Sequence, residues 1–206
     1  MGFQREVRLF LFVLLSSCTA LGGAAAGGST EIRVRVFNRA GIGRTEMRQA
    51  EAEAARVFRA AGVEIQWLDC QRMDCHQVPR ANEFLLNIVP DGRTSTDFVF
   101  GVAFLGPNGE GKYGDVFFRR IQAACAIDGR NLWRMLGTVI AHELGHLVLG
   151  SHAHSGAGIM MALWRDETLH HVEMGTLLFT KDQAVLMKAR MGGNEQLFAR
   201  STGGNK

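Results

Sequence analysis

Apolar and charged residues alternate along 31–37 (EIRVRVF), a period of two that predicts a half-exposed strand. The pattern then changes. Residues 45–61 (TEMRQAEAEAARVFRAA) are rich in Ala, Glu and Arg and predict a helix, with Thr45 placed to cap its start and Gly62 to end it. Strand-like runs return at 63–70 (VEIQWLDC), 83–89 (EFLLNIV), 98–106 (FVFGVAFLG) and 115–122 (DVFFRRIQ). Between the last two, GPNGEGKYG (106–114) lacks phosphate-loop spacing and reads as a mobile surface loop. A long helix follows. Asn131 can cap it, and LWRMLGTVIAHELGHLVL runs on to Gly150. Leu132, Leu136, Val139, Ile140 and Leu147 recur at helical spacing and should face the core. After an irregular stretch, 180–193 (TKDQAVLMKARMGG) predicts a last helix, with Thr180 and Gln183 as a capping box and Gly192 as its stop. The polar tail 193–206 is expected to be flexible. No internal repeat or heptad pattern interrupts this order, so the chain reads as one α+β domain over about residues 31–192.

The N-terminal pattern is of another kind. Arg5 and Arg8 precede the short apolar run LFLFVLL (9–15), and small residues follow in SSCTALGGAAAGG. The run is too short to span a bilayer comfortably, and the three parts together predict an export signal over 1–26. AAA (24–26) fits cleavage for simple secretion near residue 26. LSSC (15–18) resembles a bacterial lipobox and would instead put a lipid on Cys18, the one route by which a membrane would become a partner. The whole chain has a net charge of +3; loss of two arginines and one glutamate with the signal leaves +2. That charge is too small and too evenly spread to argue for nucleic acid. Export implies an oxidising compartment, in which Cys70 and Cys75 (CQRMDC) can bridge across a turn. Cys125, in apolar AACAI, is then the odd cysteine and reads as a buried thiol.

The chemistry sits in the long helix. His142 and His146 are four residues apart, which places both rings on one face, one turn apart. Imidazole suits zinc, and two helical histidines leave room for a third ligand and a water. Glu143 lies about 100° around the helix and can approach that water as general base without being a ligand. Three fixed residues in five is a modest constraint, and an amphipathic helix with two satisfied histidines is the bland alternative. The apolar flanks tell against it, because bare histidines and a glutamate are costly to bury without a partner. Gly145, in mid-helix, costs about 1 kcal/mol relative to Ala and points to close packing or ligand access there.

These residues resemble the metzincin clan of zinc metallopeptidases, whose signature H-E-x-x-H-x-x-G-x-x-H is followed by a methionine turn. His142, Glu143 and His146 match it, and GIM (158–160) is similar to the clan's Ser-Ile-Met turn, which would make Met160 the floor beneath the metal. Plain core packing is the other reading of Met160. The resemblance implies a twisted mixed sheet of about five strands with an active-site helix, methionine turn and C-terminal helix. It also implies Zn2+ and a peptide or protein substrate; by the same resemblance FVFGVAFLG is either the edge strand that pairs with that substrate or an ordinary internal strand. The glycine, however, falls at 150, one position late, and the third histidine is expected at Ala153. His152 keeps the clan's total spacing from His142. His154 keeps a longer return loop, and HSGAGIM (154–160) resembles the H-S-x-x-G-I-M of a bacterial exported subgroup. The late glycine favours His154, with His152 as the alternative. No tyrosine follows the turn, and Tyr113 is the sole tyrosine.

His170 and His171 read as a surface pair, Glu167 and Glu173 as a remote alternative source of a third ligand, and Trp164 as packing near the turn or lining a pocket. The leading reading is an exported zinc metalloendopeptidase, expected as a monomer. Its rivals are a non-catalytic zinc-binding module on the same fold and a zinc hydrolase of non-peptide amides.

Overall fold

The computed structural model describes residues 30–71, 75, 77–92 and 99–202. The export signal expected over 1–26, with Cys18, lies outside them. Five strands and five helices follow in the order β1 (Thr30–Asn38), α1 (Arg44–Ala60), β2 (Val63–Asp69), β3 (Glu83–Val89), β4 (Gly101–Phe104), β5 (Tyr113–Phe117), α2 (Phe118–Asp128), α3 (Leu132–Leu149), α4 (Asp166–Met174) and α5 (Lys181–Thr202). The strands form one mixed sheet in the order β2-β1-β3-β5-β4. β1, β2, β3 and β5 are parallel, and β4 pairs antiparallel with β5 at the edge. Alternation in β1 does what it predicts: Ile32, Val34 and Val36 are buried, the last two in register with Phe84 and Leu86 of β3. α1 and α3 pack against each other and against the sheet. α3 also touches α2, α4 and α5, so it is buried on nearly every side from Met135 to Val148. Among the described residues no helix is long and apolar enough to cross a membrane.

Several boundaries differ from the sequence expectation. The fifth strand does not run over 115–122; it ends at Phe117, and Phe118 starts α2. Phe118, Ile121 and Cys125 are buried at helical spacing, and this period, continued through AACAI, overrides the strand tendency of the paired phenylalanines. The stretch read as irregular contains α4, held by buried Thr168 and Val172 and closed by Gly175 at φ 68°. Thr45 does not cap α1. The helix begins one residue earlier, after Gly43, with no side-chain cap. Gly192 does not stop the last helix, which continues to Thr202. A glycine ends a helix where the backbone turns left-handed, and Gly192 is not among the positive-φ glycines. The loop over 106–112 is not a free excursion: it is closed by Gly106 N–H on Glu110 O (2.7 Å) and Gly109 N–H on Gly106 O (3.0 Å). Residues 113 and 114, assigned to that loop from sequence, already belong to β5.

Other expectations hold. Asn131 caps α3 by accepting from the Arg134 N–H, Gly150 ends it at φ 64°, and Thr180 and Gln183 exchange reciprocal bonds at the start of α5. Cys70 and Cys75 form the disulfide, and Cys125 is a buried thiol outside it. One feature of β1 escapes the alternation. Arg35, at a polar position, is 6% exposed and pairs with Glu83, which is 2% exposed. Its Nε and Nη2 donate to the two carboxylate oxygens at 3.0 Å each, and Nη1 donates to the carbonyls of Cys75 and Gln77.

Candidate metal centre

α3 presents His142 and His146 one turn apart, 9% and 6% exposed. Each ring is fixed from behind by a backbone carbonyl. His142 Nδ1 lies 2.7 Å from Ile159 O, and His146 Nδ1 lies 2.7 Å from Ser151 O. A carbonyl oxygen only accepts, so both Nδ1 atoms are N–H donors and both Nε2 atoms carry lone pairs. Those two Nε2 atoms face each other at 3.1 Å. Lone pair then opposes lone pair with no proton to share, an arrangement that a cation between them relieves. Nitrogens about 2.0–2.1 Å from a tetrahedral zinc stand about 3.3 Å apart, so the spacing fits that ion.

The segment that leaves α3 at Gly150 brings back a third ring. His154 has its ring centre 5.4 Å from that of His142 and 4.9 Å from that of His146. One ligand atom from each of the three histidines lies within 4.8 Å of the others. His152 is turned elsewhere, with Nε2 3.2 Å from Leu105 O just past the edge strand. The longer return loop therefore delivers His154, not His152, to the pair on α3. His170 and His171 are exposed on α4, where His171 Nδ1 meets Thr176 Oγ1 at 2.8 Å. Glu173 is engaged with the Asn131 N–H at the start of α3, and Glu167 is exposed. Neither glutamate belongs to the three-histidine group.

Met160 is 1% exposed and lies beneath the helix. A Cβ at Gly145 would come within 2.7 Å of Met160 Sδ and 2.8 Å of the Phe179 ring, so close packing is the reason for a glycine in mid-helix. The turn is held by Ser155 N–H on Met160 O (2.8 Å) and Ile159 N–H on Leu178 O (2.9 Å). Trp164 does both things expected of it: its Nε1 donates to Met161 O at 3.1 Å, and its ring meets His142 edge-on at 5.7 Å while lining a cleft. That cleft is about 700 Å³, and its walls include Val99–Ala103 of the edge region, Glu143 and all of His142, His146, His152 and His154.

Glu143 is 6% exposed, and burial pushes its carboxyl up to about 8. Burial likewise lowers His142 to about 4 and moves His146 in the same direction, so both rings are neutral, the form that binds metal. Gly101 on β4 makes room for the glutamate. A Cβ there would lie 2.7 Å from both Glu143 Cγ and Oε1. Sequence reading passed over Gly101, although a glycine inside a strand pattern is a recognised sign of close approach. The carbonyls of Ile159 and Ser151 carried no side-chain signal at all.

The fold and site define an α+β domain that carries a three-histidine group able to hold zinc. No family model matches the chain, and no curated protein matches it in sequence. Among solved structures, a zinc-dependent peptidase from Methanocorpusculum labreanum is similar at 17% identity and a TM-score of 0.53, over 75% of this chain and 99% of that one. An archaemetzincin from Methanopyrus kandleri aligns at 14% identity and a TM-score of 0.49, over 81% and 99%. The first likeness bears out the fold: one domain, a five-stranded mixed sheet and the helices packed on it.

Proposed function

We propose that this chain is an exported zinc metallopeptidase of the metzincin type, with His142, His146 and His154 as ligands, Glu143 as general base and Met160 as the floor of the site. The observation that carries the reading is the convergence of three imidazole nitrogens beside a buried carboxyl group, in a cleft that runs along an edge strand. Bound zinc supplies Lewis acidity toward a carbonyl oxygen and brings the pKa of a water to about 7. The three histidines would hold the ion, and His142 and His146 stay neutral through their Nδ1–H bonds to carbonyl oxygen. Glu143, with a cation held beside it, would ionise. The carboxylate then accepts a proton from the attacking water and returns it to the leaving amine. β4, with no strand on its outer side among the described residues, offers backbone groups to an extended peptide, which favours peptides over small amides as substrates.

Glu143→Ala should retain stoichiometric zinc and lose peptide hydrolysis by about 10²-fold or more. Hydrolysis at the wild-type rate in that variant contradicts the mechanism. Zinc retention without hydrolysis in the wild type as well, across a broad peptide library with a chelator control, would favour the non-catalytic module instead. Export rests on residues 1–26. N-terminal sequencing of the protein recovered outside the cytoplasm should find Gly27 as the first residue after simple secretion, and a lipidated Cys18 marks the other route.

A further inference from the structure

α3 ends at Gly150, and three parts of the chain meet there without space for a methyl group. The guanidinium of Arg190, on α5, lies over this end: a Cβ at Gly150 would sit 2.1 Å from Arg190 Cζ. Gly109, in the loop that continues β4, approaches from the other side at φ 71°, and a Cβ there would sit 2.1 Å from the Gly150 carbonyl oxygen. Arg190 joins both. Its Nη2 donates to Gly109 O at 2.8 Å, and its Nη1 reaches Leu149 O at 3.5 Å. A cation suits this place, because the last carbonyls of a helix are unpaired and carry its negative end. The planar fork of arginine can serve two carbonyls at once.

Beyond Gly150 the chain enters the segment that completes the three-histidine group. Ser151 O orients His146, and three residues later comes His154. The same segment is tied to the edge-strand loop a second time, through His152 on Leu105 O. Edge strand and exit segment are thus fastened at two points, and Arg190 supplies the one that comes from outside both.

We propose that Arg190 is a positioning residue. It clamps the loop after β4 to the C-terminus of α3, and so sets where Ser151 O and His154 stand relative to the rings of His142 and His146. This role rests on the zinc reading and deepens it, because it ties the metal geometry to the strand along which a peptide would lie.

The test uses the purified exported chain, with Co2+ as a spectroscopic probe and Zn2+ measured by chelator competition. Arg190→Gln is expected to raise the zinc Kd about 10-fold, the low end for lost support behind metal ligands. It should also shift or weaken the visible cobalt bands. Gly109→Ala pushes the junction apart from the loop side and should produce the same change with Arg190 intact. Arg190→Lys, which can reach one carbonyl but lacks the fork, should recover part of the affinity. Met187→Ala, at a fully buried position on α5, should lower the melting temperature yet leave the cobalt spectrum unchanged, which separates positioning from general support. If Arg190→Gln does not fold, Gly109→Ala carries its expectation in full and Arg190→Lys a smaller loss in the same direction. Wild-type affinity and bands in the folded variants overturn the inference alone, as does a Met187→Ala protein with the same altered bands. A wild-type chain that binds neither ion overturns the zinc reading and this inference with it.

Discussion

Among the described residues, two clusters of charged and titratable groups are buried, and they are finished differently. Arg35 and Glu83 close on themselves. Both carboxylate oxygens face guanidinium donors, the Arg80 N–H adds a third bond to Glu83 at 2.9 Å, and the remaining Arg35 nitrogen donates to the Cys75 and Gln77 carbonyls. The cluster on α3 stays open. His142 and His146 spend their donors on carbonyls and turn bare lone pairs toward each other, while Glu143 is buried and, among the described residues, nothing offsets its desolvation. A buried charge answered within the chain reads as structure. A buried set that the chain orients and leaves unanswered reads as a place for something that arrives from outside.

The contrast can be broken most sharply at His146. His146→Ala should abolish stoichiometric zinc and bring hydrolysis to background, while the metal-free protein keeps its unfolding free energy within about 1 kcal/mol. A large loss of metal-free stability would mean that the open cluster is also structural. Glu83→Gln should do the reverse. It strands a buried guanidinium and should cost about 3–5 kcal/mol in denaturant unfolding, with zinc affinity unchanged. Next in size is the effect of metal on stability. Zinc at about 100 times its Kd should add about 2.7 kcal/mol to the wild type and to Glu83→Gln, and nothing to His146→Ala. A gain in His146→Ala would place the ion elsewhere.

The smallest effect is pH dependence. Burial alone would raise the Glu83 carboxyl, but the Arg80 N–H and the Arg35 guanidinium outweigh it and hold the group below its ordinary value of 4.5. A carboxyl lowered in the folded state contributes stability above the unfolded value and loses it as pH falls through the folded one. Wild-type stability should therefore decline below about pH 4.5 more steeply than that of Glu83→Gln. Parallel profiles would show that the pair does not carry this dependence.

The same contrast explains what could be read from residue order. Periodicity located β1, α1, β2, β3 and α3 to within a residue or two, because apolar spacing and capping are local. α2 and α4 escaped, since Phe117–Phe118 reads as strand until the helical spacing of Phe118, Ile121 and Cys125 is seen buried. The open cluster was legible because a metal site declares itself in side-chain types at fixed spacing. The late Gly150 favoured His154 over His152, and His154 is the ring that stands with His142 and His146. The closed cluster was not legible, because Arg35 and Glu83 are 48 positions apart and look like ordinary polar positions in alternating strands. Nor was the contact between Gly101 and Glu143, which depends on how the sheet edge lies over α3.

A crystal structure of the zinc-loaded chain, phased by anomalous scattering at the zinc edge, tests the central claim most directly. One ion is expected, bound by Nε2 of His142, Nε2 of His146 and a ring nitrogen of His154, each about 2.0–2.1 Å away, with His152 outside the coordination sphere. An ion held by His152 in place of His154, or no ion between the two histidines of α3, would contradict it.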